Sequence, residues 1–150
     1  MSFDAHIPEI SGVIQLAVAP VFLLTAIGTV IAALNIRLGR AVDRRRVLEE
    51  KVPSMPADEL PLAREELAII ARRIGFVYRA ILSAVVSALF VCLLIAGAFL
   101  GAFVRTDLSY TIGAMFVLAM VALIASLLLF LREIFLAVST VRYAPRHARG

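Results

Sequence analysis

Long apolar runs alternate along the chain with one extended segment in which apolar residues recur every three or four positions. Three runs carry about the 20 residues that a helix needs to cross a ~30 Å hydrocarbon core: roughly Ser11 to Ile36, Ala80 to Val104 and Tyr110 to Leu131. Each predicts a transmembrane helix. After the first run, Leu34, Leu38, Ala41, Leu48 and Val52 keep steps of four and three if Arg45 is counted as one seam position. Leu67, Ile70, Ile74, Val77 and Ile81 form a matching stripe leading into the second run. The first two helices are therefore expected to extend beyond the membrane as amphipathic arms. VPSMPADELP joins the arms; its prolines interrupt the helix, Asp58 is placed to cap the returning arm, and Pro61 suits its first turn. The expected fold is an all-α membrane protein. It forms a single domain with three transmembrane helices, an antiparallel helical hairpin over residues 37–79, and a tail over residues 139–150 that is disordered after Tyr143.

Composition strengthens this reading. Of 150 residues, 62% are hydrophobic, well above the share in a soluble domain of that length, and the mean hydropathy is +0.98. The net charge of +4 matters less than its placement. Ten of the fifteen basic residues lie between the first two runs and four more follow Leu131, whereas Arg105 alone lies between runs two and three. The positive-inside rule then puts the amino end outside and the hairpin and tail in the cytoplasm. A cleaved signal peptide wants basic residues ahead of its apolar core, but Asp4 and Glu9 stand there, so the first helix is expected to remain. Pro20 in its interior predicts a kink.

Candidate chemistry is sparse. Cys92 is the single cysteine, inside an apolar run, and reads as a small apolar filler; His6 and His147 lie near opposite ends. Neither a metal site nor a disulfide within one chain is expected. No Ser/His/Asp set, paired carboxylates, Gly-rich phosphate loop or HExxH is visible, so the reading is not an enzyme, with no cofactor and no nucleic-acid partner.

Polar residues inside spans should face other helices or water. On a helical wheel Ser11, Gln15, Thr25 and Thr29 fall in one sector of the first helix with Val18, Phe22, Ala32 and Ile36. Packing explains such a face, with hydroxyls returning to backbone carbonyls and Gly28 allowing close approach; so does a pore wall narrowed by Val18 or Phe22. Ser83, Ser87 and Ser126 read as packing contacts, and Gly97 and Gly101 have small-xxx-small spacing.

Arg132 and Glu133 interrupt LLLFLREIFLAV, Leu127 to Val138. By Leu131 the third helix has already crossed the hydrocarbon core, so the pair marks the cytoplasmic boundary that the other spans reach at Arg37 and Arg79. A partly desolvated carboxylate there needs a cation, and Arg37, Arg40 or Arg79 is the expected partner of Glu133. Such a cluster either ties the third helix to the hairpin base or forms a charged ring at a pore mouth. Arg44, Arg45 and Arg46 are placed to touch anionic headgroups, each charge contributing ~1 kcal/mol near the surface.

The strings IQLAVAPVFLLTAIGTVI, N-x-R-L-x-R-x-x-D-R from Asn35 to Arg44, ALFVCLLIAGAFLGA and LLLFLREIFLA together cover roughly Val13 to Thr140. Their combination resembles a family of small bacterial integral membrane proteins, domain-of-unknown-function family 2721. The resemblance implies three helices in a bacterial inner membrane and no activity. In layout alone the chain is also similar to proton-channel subunits of bacterial energy-transducing motors, which assemble as rings; no motif matches. The functional expectation is a homo-oligomeric ion channel or pore lined by the first helix. The alternative is a membrane-anchored interaction or scaffold protein presenting the hairpin.

Overall fold

A computed structural model of the protein describes residues 7–104 and 108–141. Three helices account for nearly all of them: α1 (Ile7–Lys51), α2 (Leu60–Val104) and α3 (Ser109–Val141), and no strand occurs among the described residues. The expected tail after Tyr143 lies outside the described residues. At 1.5 Å per residue, the 45 residues of α1 and of α2 reach about twice the ~30 Å of a hydrocarbon core, so each carries an arm beyond a single span. α1 continues as helix through Pro20.

The chain divides into two compact units, Met1–Ala32 with Leu82–Ala125, and Ala33–Ile81 with Ser126–Gly150. In the first, Ile27, Ala84, Val91, Leu94 and Ala119 are buried together, with Leu23, Ile112, Met115 and Leu123 packed on them. Ala84 and Ala119 are small enough to let helix backbones approach. Ser83 and Ser87 of α2 use that proximity, donating from Oγ to the carbonyls of Ala122 and Ala119 on α3, each at 2.7 Å. A Cβ on Gly97 would meet Ile112 Cγ1 at 3.8 Å, an ordinary contact. Large apolar side chains such as Phe22, Leu89 and Val117 point outward. Lipid accepts such a surface, whereas water penalises it. Pro20 borders an open apolar cavity of about 300 Å³, together with Ala17, Leu94, Ile112 and Phe116.

The second unit contains the hairpin. Leu48, Ala63 and Ile70 form its core, backed by Val52, Met55, Leu67 and Ile74, while Leu34, Val77 and Ala80 are fully buried. The apolar residues of both stripes thus face inward, whereas Arg45, counted as a seam position, is exposed. The arms join through a 3₁₀ turn, Val52–Ser54, in which Ser54 Oγ donates to the Lys51 carbonyl at 2.9 Å. The Glu59 amide then donates to the Pro56 carbonyl at 3.1 Å, and the Ala63 amide to the Glu59 carbonyl at 3.1 Å. Glu59 therefore opens the returning helix. Asp58, expected there as a cap, falls one residue too early, inside the turn, and is exposed. Pro61 sits in the first turn of α2, where its missing N–H removes no helical bond. Ser126 of α3 donates to the Ala80 carbonyl of α2 at 2.8 Å.

Candidate functional site

A carboxylate removed from water is unstable unless cations and hydrogen bonds fill its lone pairs. Glu133 is only 2% exposed and both of its oxygens are filled. Oε2 accepts from Arg37 Nη1 of α1 at 2.5 Å, and Oε1 accepts from Arg73 Nη2 and Nε of α2 at 2.8 and 3.3 Å. One acidic side chain thus joins three helices. Arg37 is held from a second direction, its Cζ 5.2 Å from the centroid of Phe130, one helical turn from Glu133 on α3. The side chains of Arg37 and Arg73 remain 39% and 29% exposed, so the cationic half of the cluster keeps contact with its surroundings. Two cations to one anion leave the cluster with one net positive charge.

The cluster belongs to a register. Ala80 and Ser126 meet seven residues from Arg73 and Glu133 on their respective helices. Two polar ties thus stand two turns apart on the antiparallel α2–α3 pair of this unit.

The expected partners of Glu133 need correction. Arg37 pairs with it, but Arg40 and Arg79 do not; Arg73, absent from the sequence expectation, is the second partner. Arg73 shares the inward face of α2 with Val77 and Ala80, whereas Arg79, next to Ala80, is turned by about 100° and projects outward over Phe76, 5.8 Å from the ring centroid. Arg132 is exposed for the same reason, being adjacent to a buried residue. The seven-residue spacing of Arg73, Ala80 and Ser87 was the signal that could have identified it.

The headgroup candidates Arg44, Arg45 and Arg46 all have carboxylate partners. Arg44 donates to Glu66 at 2.6 and 3.1 Å, Arg45 to Glu49 at 2.8 Å and Arg46 to Glu50 at 3.3 Å.

The sector of α1 proposed from the wheel is left outside the fold's own packing. Gln15, Val18, Phe22, Thr25 and Thr29 are exposed, as are Ala32 and Ile36; the side chain of Ser11 lies outside the described residues. Thr25 Oγ1 donates to the Val21 carbonyl at 3.4 Å and Thr29 Oγ1 to the Thr25 carbonyl at 3.0 Å. Gly28 was expected to allow close packing. It is exposed, and an added Cβ would meet nothing within 4 Å. Gly97 and Gly101 are half-buried, and Cys92 is exposed rather than an interior filler, because it lies on the outer side of α2. Among the described residues no group of His, Cys, Asp and Glu is arranged to hold a metal.

Three apolar helices long enough to span, with their large hydrophobic side chains outward, define a multi-pass all-α membrane protein. Residues 17–143 match the family described as protein of unknown function (DUF2721), and the chain belongs to that family. No curated protein and no solved structure matches the chain significantly.

Proposed function

We propose that this protein assembles in the bacterial inner membrane as a homo-oligomeric pore for small ions, with α1 lining the path. The amino end is outside, and the hairpins form a cytoplasmic collar. The observation that carries this reading is the exposed sector of α1: it holds polar residues of the first span, Gln15, Thr25 and Thr29, which the single chain leaves exposed. Polar groups facing lipid are costly, and an oligomer turns them toward one another or toward water. Since both threonine hydroxyl protons are engaged by backbone carbonyls, the outward lone pairs offer acceptors to a permeant ion. Phe22, 72% exposed, is the narrowing residue.

The test is ion flux from liposomes containing the purified protein. Wild type is expected to dissipate an imposed gradient, Phe22→Ala to do so faster, and Thr29→Val more slowly. Tight vesicles, together with a monomer in native mass spectrometry, would remove the pore. A second reading, a membrane-anchored interaction protein, draws support from Leu62, 70% exposed on the hairpin, and from exposed Val42 and Val47. Tight vesicles are its expected result.

A further inference from the structure

Apart from Arg37 and Arg73, which hold Glu133, and Arg64, which is exposed near the start of α2 and bonds no carboxylate among the described residues, the described arginines of the second unit fall into two groups. Those of DRRR are neutralised: Arg44, Arg45 and Arg46 each donate to a glutamate. Arg40, Arg72, Arg79 and Arg132 are exposed and bond no carboxylate among the described residues. The contact of Glu133 with Arg37 and Arg73 fixes a common level on the three helices. At 1.5 Å per residue, Arg72 and Arg132 lie about 1.5 Å from it along their helices, Arg40 about 4.5 Å and Arg79 about 9 Å. The carboxylate at this level is already shared by two cations. Four uncompensated guanidinium groups, contributed by all three helices, thus lie within about 9 Å, along their helices, of the level of a cluster that is itself positive.

Apolar surface adjoins the band on one side, where Ile36, Leu128 and Leu131 are exposed; Asp43 and the paired DRRR arginines continue on the other. Tyr78, 58% exposed beside Arg79, is the amphipathic aromatic found where hydrocarbon meets headgroups. These exposed groups stand on three different helices. A lipid leaflet encircles them all, with phosphates at the border of its apolar slab, and long arginine side chains can reach that layer from either side.

We propose that Arg40, Arg72, Arg79 and Arg132 form a belt that binds the phosphate groups of anionic phospholipids, and that DRRR does not. The guanidinium fork matches phosphate geometry, and these four have no internal carboxylate competing for it.

The experiment compares nanodiscs of phosphatidylcholine with nanodiscs of phosphatidylcholine and phosphatidylglycerol. Thermal midpoint and co-purifying phosphatidylglycerol, counted by native mass spectrometry, are the readouts. For wild type, phosphatidylglycerol is expected to raise the midpoint, less so as salt is increased. The triple variant Arg44→Gln/Arg45→Gln/Arg46→Gln should keep that rise. The quadruple variant Arg40→Gln/Arg72→Gln/Arg79→Gln/Arg132→Gln should keep its midpoint in pure phosphatidylcholine but lose roughly tenfold or more of its preference for phosphatidylglycerol. Should that chain fail to fold, the doubles Arg40→Gln/Arg132→Gln and Arg72→Gln/Arg79→Gln must each show a partial loss. Retention of the preference by the belt variants, or its loss in the triple variant, overturns the proposal. So does an equal rise from inorganic phosphate in pure phosphatidylcholine, which would indicate a site for free anions.

Discussion

Arg73 donates through both Nε and Nη2 to a single oxygen of Glu133, at 3.3 and 2.8 Å, and leaves the other oxygen to Arg37. Removing one member of a fully buried ion pair strands the other and costs about 3–5 kcal/mol. Arg73→Ala leaves Arg37 on Glu133 and both arginines are partly exposed, so it should lower the unfolding midpoint in detergent by less than that cost implies, and Glu133→Gln should also destabilise by leaving two guanidinium groups side by side. Arg73→Lys, which keeps the charge but not the fork, should fall between Arg73→Ala and wild type. Equal midpoints for Arg73→Ala and wild type would show that the triad contributes nothing.

The surface pairs offer the contrast. Arg46 and Glu50 are 80% and 68% exposed in their side chains, so screening and side-chain entropy consume most of the attraction. Glu50→Ala is expected to change the midpoint negligibly at any salt concentration.

Ser87 and Ser126 are fully buried and tie α2 to α3 within their respective units. Interhelical bonds of this kind contribute about 0.6 kcal/mol in a membrane and at most about 1.7, so Ser87→Ala and Ser126→Ala should be mild. Ser87→Leu forces extra carbons between close backbones and should cost about 1–3 kcal/mol or more. Unfolding curves in one detergent rank the three; a leucine variant as stable as the alanine one would mean that the helices are not close there.

Self-association along α1 is open to chemical trapping. In a Cys92→Ser background, Thr29→Cys should form a disulfide between two copies under mild oxidation, while a cysteine at buried Val91 should not. Dimer bands on a non-reducing gel provide the measurement, and their absence at Thr29, Thr25 and Ala32 alike would exclude this face as the contact.

Much of this architecture is readable from residue spacing. The stripe through Leu34 and Leu48, and that through Ile70 and Val77, lie inside because a helix returns to the same side every three to four residues. Arg37 was legible as a partner for Glu133 because both occur where an apolar run ends. Arg73 was not, because counting hydrophobic residues measures depth along an axis and says nothing about rotation; the outward turn of Arg79 decides the matter. Gly28 meets no other helix of its own chain for a related reason. A small residue permits close approach, but which helix approaches, or whether it comes from another copy, is not written in that residue. Asp58 lost the helix start to Glu59 because the turn after Pro56 takes one residue more than cap preference alone suggests.

The spacing shared by Arg73 and Ala80 on α2 and by Glu133 and Ser126 on α3 has a bearing on which length changes the protein can survive. One residue inserted between Ser126 and Glu133 would swing the carboxylate about 100° out of its socket while Ser126 stayed in place. A matched gain of seven on α2 and α3 would preserve both of these ties, but Arg37 on α1 would need the same gain to stay on Glu133. Around this buried acid the three helices can lengthen or shorten only together, in steps of two turns.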